Sequence, residues 1–253
     1  MPNDAALTVT DLVVRFGGVT ALDGVSFSVR PGQVCGLIGP NGAGKTTLFD
    51  CVSRLTRPRS GRIELDGHDL LALPAHRVAR LGVARTFQHL GLVPSLSVRD
   101  NVMLGAQDPG GFLSAALRLP GVRTRERALK ERADAVLDRF GLAALAAHPA
   151  AGLPYGTLKR VELARALAAE PTLLMLDEPA SGLSHGEVDE LAGLIEEVRA
   201  GTTVLLVEHH MGMVMRLSDT VVVLDFGKVV ATGPPAAVQE DPAVLAAYLG
   251  TPA

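Results

Sequence analysis

Residues 39–47 read Gly39-Pro40-Asn41-Gly42-Ala43-Gly44-Lys45-Thr46-Thr47 and lie between an apolar run, Val34 to Ile38, and apolar residues at helical spacing. A strand, a glycine-rich turn and a helix in this order are the context of a phosphate-binding loop. Glycines accept positive φ, so successive N–H groups can surround an anion, and the helix adds its own free N–H groups. Lys45 supplies a charge for the β and γ phosphates, and Thr46 supplies a hydroxyl for Mg²⁺. The segment therefore predicts a site for a nucleoside triphosphate.

Length and composition limit the class of protein. The chain has 253 residues, enough for one or two domains with a substantial core, and its net charge of −3 argues against a general nucleic-acid binder. No apolar run approaches the roughly 20 residues that cross a bilayer, and the N-terminus lacks a signal-peptide pattern, so we expect a cytosolic protein. Cys35 lies inside the apolar run and Cys51 on the helix predicted to follow the glycine loop, without metal-ligand spacing, which predicts reduced core residues.

The apolar segments predict an α/β fold. Strands at 173–176, 204–207 and 221–224 are almost wholly apolar and alternate with helical patterns, which indicates a parallel sheet covered on both faces. Residues 83–87 are predicted to form a further strand.

Two regions depart from this alternation. Residues 7–16, 22–29 and 63–65 are predicted to form an antiparallel β portion beside the nucleotide core. From about His89 to Gly152 the pattern is helical, and the α/β alternation resumes after Gly156 with a helix predicted over 158–168.

Two acidic residues follow the apolar strand 173–176. Their position predicts carboxylates at the carboxyl edge of the sheet, where open α/β folds bind ligands. Asp177 would hold Mg²⁺, and Glu178 could polarise the attacking water as a general base.

Two further side chains are expected at the same edge. A histidine after strand 204–207 can donate to the γ-phosphate, but the chain has His209 and His210 there and their order does not decide between them. Gln88 follows strand 83–87, and its amide oxygen could reach Mg²⁺.

Five motifs, in their order and spacing, resemble those of the ATP-binding subunits of ABC transporters over essentially the whole chain. In that family they are the Walker A loop, the Q-loop, the signature loop, Walker B with its catalytic glutamate, and the switch histidine. Here they correspond to 39–47, Gln88, Leu153-Pro154-Tyr155-Gly156-Thr157, Leu173 to Pro179, and His209.

The resemblance extends to two interface positions. Phe16 falls where the family places an aromatic residue that stacks on adenine, although a phenylalanine of a strand core fits the pattern equally well. Residues 181–184 match the loop that crosses the dimer interface in the family.

Finer features are similar to the ATPases of branched-chain amino-acid importers, and to the longer of their two ATPases. They are the segment 82–88, the signature region, Glu208 to Met211 and the ending from Asp241 to Gly250. The sequence departs from the family at Pro154 and Tyr155, where the signature loop usually has serine and glycine. Proline carries neither a hydroxyl nor an N–H, so two donors to phosphate are absent there. Gly156 and the helix predicted to begin at Leu158 retain donors.

The resemblance implies a P-loop NTPase fold in a single domain, 1–253. Residues 1–88 and 157–253 would form the α/β core with an antiparallel β subdomain, and 89–156 a helical subdomain with the signature loop. ATP and Mg²⁺ are the implied cofactors. The implied partners are a second ATPase subunit, identical or related, the permease subunits and, indirectly, a solute-binding protein. The implied place is the inner face of the cell membrane.

Other functions fit less well. ABC ATPases of translation or DNA repair usually carry two cassettes or a long coiled-coil insertion, for which this length leaves no room. A P-loop GTPase would need an Asn-Lys-x-Asp sequence, and no lysine here follows an asparagine. Within the importers, the alternative to branched-chain amino acids is another small polar solute, such as urea or an amide.

Overall fold

The computed structural model describes residues 6–87, 90–106, 122–199 and 201–249. Within these ranges a mixed sheet of six strands has the order β10-β9-β3-β8-β7-β6, and its last five strands are parallel. β10 pairs antiparallel with β9. The strands are β3 (Val34–Ile38), β6 (Val83–Arg85), β7 (Leu173–Asp177), β8 (Thr203–Val207), β9 (Thr220–Asp225) and β10 (Lys228–Gly233).

A second, antiparallel sheet lies beside the parallel one. Its order is β2-β1-β4-β5, and the strands are β1 (Leu7–Phe16), β2 (Val19–Val29), β4 (Ser60–Leu65) and β5 (His68–Asp69). The predicted antiparallel portion is therefore confirmed, with β2 and β4 each beginning three residues earlier than expected.

Helices cover both faces of the parallel sheet. They are α1 (Lys45–Val52), α2 (Ala75–Val78), α3 (Val98–Gly105), α4 (Val122–Arg139), α5 (Tyr155–Leu167), α6 (His185–Val198), α7 (Met211–Leu217), α8 (Pro235–Gln239) and α9 (Pro242–Leu249). Short 3₁₀ turns lie at Leu70–Ala72, Ala79–Leu81 and Ala143–Leu145. Along the described chain, no helix combines the length and apolar character needed to cross a bilayer.

The alternation of side chains along each buried strand divides the core in two. Leu173 and Met175 face α1 and the antiparallel sheet, whereas Leu174 and Leu176 face the cluster built by α3 to α6. Both faces are buried, which explains the continuous apolar strands in the sequence. Cys35 and Cys51 are free and buried in the first cluster, as predicted, and burial raises the pKa of each thiol to about 12.

The predicted end of β6 and the predicted start of α5 are also wrong. Strand β6 ends at Arg85 rather than 87, because the N–H of Asp177 donates to Thr86 Oγ1 (3.2 Å) instead of continuing the backbone ladder. Helix α5 begins at Tyr155 rather than Leu158, so the predicted division between 156 and 157 falls inside a helix. The division into subdomains stays a prediction.

Candidate nucleotide site

The glycine loop connects β3 to α1, and its backbone requires glycine at two places. Gly39 has φ 147°, and a Cβ there would lie 2.0 Å from the carbonyl oxygen of Leu224. Gly44 has φ 104°, precedes α1, and approaches the carbonyl of Ala21 so closely that a Cβ would lie 2.6 Å from it. The turn between β9 and β10 supports the loop, since Gly227 N donates to Ala43 O at 3.0 Å. Packing therefore holds the loop in the conformation that an anion cradle needs.

Lys45 lies across this loop. Its Nζ donates to the carbonyl oxygens of Gly39 at 2.6 Å and of Pro40 at 3.0 Å. Burial lowers the pKa of Lys45, and the charges of Glu178 and Asp177 oppose that shift. The two carboxylates thus favour the charged form of the ammonium, which a phosphate-binding group requires.

Asp177 ends β7 and is buried at the carboxyl edge of the sheet. Its Oδ2 accepts a hydrogen bond from Arg85 Nη2 at 2.9 Å. Thr46 lies in the first turn of α1 and is exposed. A carboxylate and a hydroxyl are the hard oxygen donors that Mg²⁺ prefers, and this ion usually takes few protein ligands beside water and substrate phosphates. The residues present therefore fit a magnesium ion.

Glu178 follows the strand in an unusual backbone conformation. Its φ is +48°, which is uncommon for a residue with a side chain, and its N–H donates to Val207 O at 2.8 Å. Such strain occurs often at functional sites. His209 Nδ1 lies 3.9 Å from Glu178 Oε1, and the imidazole is 67% exposed.

His210 makes different contacts. Its Nδ1 accepts a hydrogen bond from Met213 N at 3.4 Å and so caps α7, while its ring meets that of His185 edge-on at 6.3 Å. The geometry therefore brings His209, and not its neighbour, beside Glu178.

Glu208 is a site residue to which sequence reasoning assigned no role. It is 1% exposed, and its Oε1 accepts from Ala180 N at 2.7 Å. Its Oε2 accepts from the backbone N–H groups of His209 (2.9 Å) and His210 (3.1 Å). One buried carboxylate thus connects the segment after Glu178 to the histidine turn. The sequence signal that could have identified Glu208 is an acidic residue directly after an apolar strand.

The predicted signature loop is largely the first turn of α5. Pro154 occupies the N-cap position, and Tyr155, Gly156 and Thr157 are the first helical residues, whose N–H groups have no acceptor within the helix. Because Pro154 precedes them, its missing N–H removes none of these three donors. Leu153, the remaining predicted position, packs partly buried against the second core cluster.

Close packing fixes this turn against the start of α6. A Cβ on Gly156 would lie 2.2 Å from Glu187 Oε1, and one on Gly182 would lie 3.0 Å from the Tyr155 ring. Glu187 Oε2 in turn accepts from the N–H (2.9 Å) and hydroxyl (2.7 Å) of Ser184. Ser184, at the end of the predicted interface loop, therefore serves as the N-cap of α6 in a capping box.

The two remaining predicted positions have different outcomes. Phe16 ends β1 and is 54% exposed, so it is not a residue of the strand core. Gln88, predicted as a metal ligand and catalytic residue, lies outside the described residues.

Buried charge also surrounds the start of α5. Lys159 is 3% exposed, and its Nζ lies 3.8 Å from Glu162 Oε2 and 5.8 Å from the centre of the Tyr155 ring. Glu162 Oε1 accepts from Gly91 N at 3.3 Å, and burial raises the pKa of this carboxyl.

A glycine loop, two carboxylates and a histidine after neighbouring parallel strands, with a separate helix start, are the arrangement expected of an ATP-binding cassette. The comparisons with known proteins agree. The family model described as "ABC transporter" matches residues 22–181, and one described as "Branched-chain amino acid ATP-binding cassette transporter" matches 228–253.

Curated relatives match over almost their whole length. The chain is 41% identical to the high-affinity branched-chain amino acid transport ATP-binding protein BraF of Pseudomonas aeruginosa, over 96% of this chain and 97% of that protein. It is 41% identical, with the same coverage, to LivG of Escherichia coli, which carries the same description.

Solved structures give the same result. A nucleotide-free ATP-binding cassette from an ABC transporter has a TM-score of 0.85 and 30% identity, with 98% of this chain and 100% of that chain covered. A cassette in its ADP conformation has the same TM-score and identity, with 98% and 99% covered.

The chain belongs to the ABC transporter family. It is an ATP-binding subunit, and its activity is ATP hydrolysis coupled to transport.

Proposed function

We propose that this ATPase energises an importer of branched-chain or other small amino acids. The observation that carries the proposal is that Lys45, Asp177, Glu178 and His209 follow the ends of three neighbouring parallel strands, in a chain whose curated relatives transport branched-chain amino acids. The subunit would act at the inner face of the cell membrane, attached through the permease.

Each site residue would have a separate role in binding or hydrolysing ATP. The loop N–H groups and Lys45 would bind the β and γ phosphates, and the exposed Phe16 would stack on adenine. Thr46, Asp177 and Gln88 would hold Mg²⁺, which supplies charge neutralisation for phosphoryl transfer when bound. Glu178 would accept a proton from the attacking water, and His209 would donate a hydrogen bond to the γ-phosphate.

The site needs a second subunit, identical or related. The first-turn amides of α5 would contact the γ-phosphate held by the partner's loop, so two ATP molecules would lie between two subunits. Closing and opening of this pair would then follow ATP binding and phosphate release as a population shift. The permease subunits would transmit the movement, and a solute-binding protein would deliver the solute without touching this chain.

The catalytic assignment is tested with Glu178→Gln in the assembled transporter. We expect ATP affinity within about threefold of wild type and turnover reduced by about 10³-fold, since a general base contributes 10² to 10⁴. Turnover is measured by phosphate release and affinity by equilibrium binding of labelled ATP. Glu64→Gln, at a carboxylate of β4 whose side chain is 25% exposed, is the matched control and keeps full turnover.

Lys45→Ala separates binding from chemistry. Because it removes the cation that crosses the loop, we expect ATP affinity itself to fall by about 100-fold. Near wild-type hydrolysis in Glu178→Gln would remove Glu178 from the role of base, and unchanged ATP binding in Lys45→Ala would contradict the phosphate site.

The solute is tested by transport. Vesicles with the assembled transporter and its solute-binding protein should take up labelled leucine in an ATP-dependent manner, and Glu178→Gln should abolish this uptake. Uptake of urea or an amide instead of leucine would replace the amino-acid assignment. Failure of the ATPase to co-purify with a multi-spanning permease would favour an ABC ATPase without a transport role.

A further inference from the structure

Arg85 is a buried cation beside the nucleotide site with no role assigned so far. Its side chain is 9% exposed. Nη1 donates to Asp50 Oδ1 at 2.7 Å and to Ser53 Oγ at 2.9 Å, and Nη2 donates to Asp177 Oδ2 at 2.9 Å. The two terminal nitrogens of the guanidinium thus donate to three acceptors, while its buried Nε has no hydrogen-bond partner among the described residues. The ammonium of a lysine, a point charge on a flexible stem, does not offer this fixed fork of donors.

The three acceptors lie on two separate elements. Asp50 and Ser53 belong to α1 and its C-cap, the helix that presents Thr46, and Asp177 ends β7. Arg85 itself lies on β6, the neighbour of β7 in the sheet. The one side chain therefore connects the helix that carries the hydroxyl ligand to the strand that carries the carboxylate ligand.

Aromatic rings complete the surroundings of the guanidinium. Its carbon lies 5.5 Å from the centre of the Phe49 ring and 5.4 Å from that of Phe87. Phe49 belongs to α1, so it repeats the connection to that helix. Phe87 directly precedes Gln88 in the chain and ties the start of that segment to the same cation.

We propose that Arg85 is a positioning residue for the magnesium–ATP site. It holds Asp177 at a fixed place relative to α1, so that the carboxylate and the Thr46 hydroxyl converge on one metal ion. The bond to Oδ2 leaves Oδ1 for the ion or its water. Partners of this kind, which orient a metal ligand without touching the metal, typically change metal affinity by 10- to 100-fold when removed. The inference rests on the proposed function, because it presupposes the metal site there.

The test compares ATP affinity with Mg²⁺ and with EDTA in the assembled transporter, in a Glu178→Gln background that prevents turnover. The ratio of the two affinities reports how well the protein uses the metal. We expect Arg85→Met to lower this ratio by about tenfold or more while ATP affinity in EDTA stays within about twofold. A purely structural clamp would lower both affinities together and leave the ratio unchanged.

Two further variants sharpen the result. Arg85→Lys should recover only part of the ratio, since it restores the charge without the three bonds. Arg62→Met is the matched control, because that arginine is 62% exposed and has Glu64 as its ion-pair partner at 3.5 Å. Its ratio should equal that of the parent.

If Arg85→Met does not fold, as judged by circular dichroism, Asp50→Asn tests the positioning role of Arg85 instead. Asp50 is 29% exposed, and its loss weakens only the α1 side of the clamp, so we expect a severalfold lower ratio. A ratio within twofold of the parent, in Arg85→Met or, failing that, in Asp50→Asn, overturns the inference. If the parent itself binds ATP equally well with and without Mg²⁺, the proposed metal site fails instead, which is a distinguishable outcome.

Discussion

The chain presents two helix N-termini suited to phosphate, and they are held by different forces. At α1, the backbone fixes the loop before the helix. Gly39 and Gly44 have positive φ and lie so close to neighbouring carbonyl groups that a Cβ would clash with them, and Lys45 donates hydrogen bonds to the loop. At α5, side-chain packing fixes the first turn of the helix, because Tyr155 packs on Gly182 and Glu187 packs on Gly156.

The buried charges near the two helices differ in the same way. Arg85, near α1, makes three side-chain hydrogen bonds at 2.9 Å or less through its terminal nitrogens, and only its buried Nε lacks an acceptor among the described residues. Lys159, at α5, has no hydrogen-bond acceptor for its Nζ among the described residues, and its distance to Glu162 is 3.8 Å. A well-bonded buried cation orients its surroundings, whereas a loosely bonded pair contributes little net stability. We therefore expect the first region to tolerate substitution far less than the second.

The largest effect is expected from Gly39→Ala. The new methyl group would meet the Leu224 carbonyl at 2.0 Å in a backbone conformation that alanine rarely adopts. We expect the free energy of unfolding to fall by about 3 kcal/mol or more, measured by urea denaturation.

Gly42→Ala is the control for backbone strain alone. Its φ is 82°, but a Cβ there would meet no atom within 4 Å, so the loss should be about 1 kcal/mol. Equal losses in the two variants would show that the contact with Leu224 does not hold the loop.

An intermediate effect is expected from Glu162→Gln, and it depends on pH. Burial raises the pKa of this carboxyl above its ordinary value of 4.5, so the folded state favours the protonated form. The stability that protonated Glu162 adds to the folded state is fully present below about pH 4.5, and it is lost as the pH rises through the folded-state pKa. Stability of wild type relative to Glu162→Gln should therefore fall across that window, by about 1.4 kcal/mol for each unit of the rise.

Urea denaturation of both proteins from pH 4 upward measures the difference. Glu131→Gln, at an exposed carboxylate of α4, serves as the control and should stay parallel to wild type. A difference between wild type and Glu162→Gln that does not change with pH, or that grows in favour of wild type, would contradict the effect of burial.

The smallest effect is expected from Tyr155→Phe. The ring keeps its contact with Gly182 and its place over Lys159, and only a hydroxyl on a partly exposed side chain is lost. We expect a change within about 0.5 kcal/mol in stability and unchanged ATP turnover. A fall in turnover without loss of stability would instead give the hydroxyl a part in the contact with the partner subunit.

Patterns that repeat locally were predictable from the sequence. The phosphate loop, the carboxylates after β7 and the histidine pair after β8 each follow an apolar strand, and parallel strands bring their carboxyl ends to one edge. The antiparallel sheet was predictable from β-branched residues between turns.

Choices between neighbours were not predictable. His209 and His210 are alike in sequence, and their contacts in the fold separate them, since His210 caps α7 and His209 lies 3.9 Å from Glu178. The start of α5 was placed too late because Tyr, Gly and Thr are poor helix formers, and contacts with Gly182 and Glu187 outweigh that propensity.

The sequence by itself determined the family, the phosphate loop and the identity of the chemical groups, because these depend on residue types at short, regular spacing. Only the tertiary structure decided how Arg85 and Glu208 connect distant elements. Arg85 and Asp177 are 92 residues apart in the chain, and Glu208 and Ala180 are 28 apart. Such pairs come into contact because of the order of the strands in the sheet. A local sequence pattern does not predict that order.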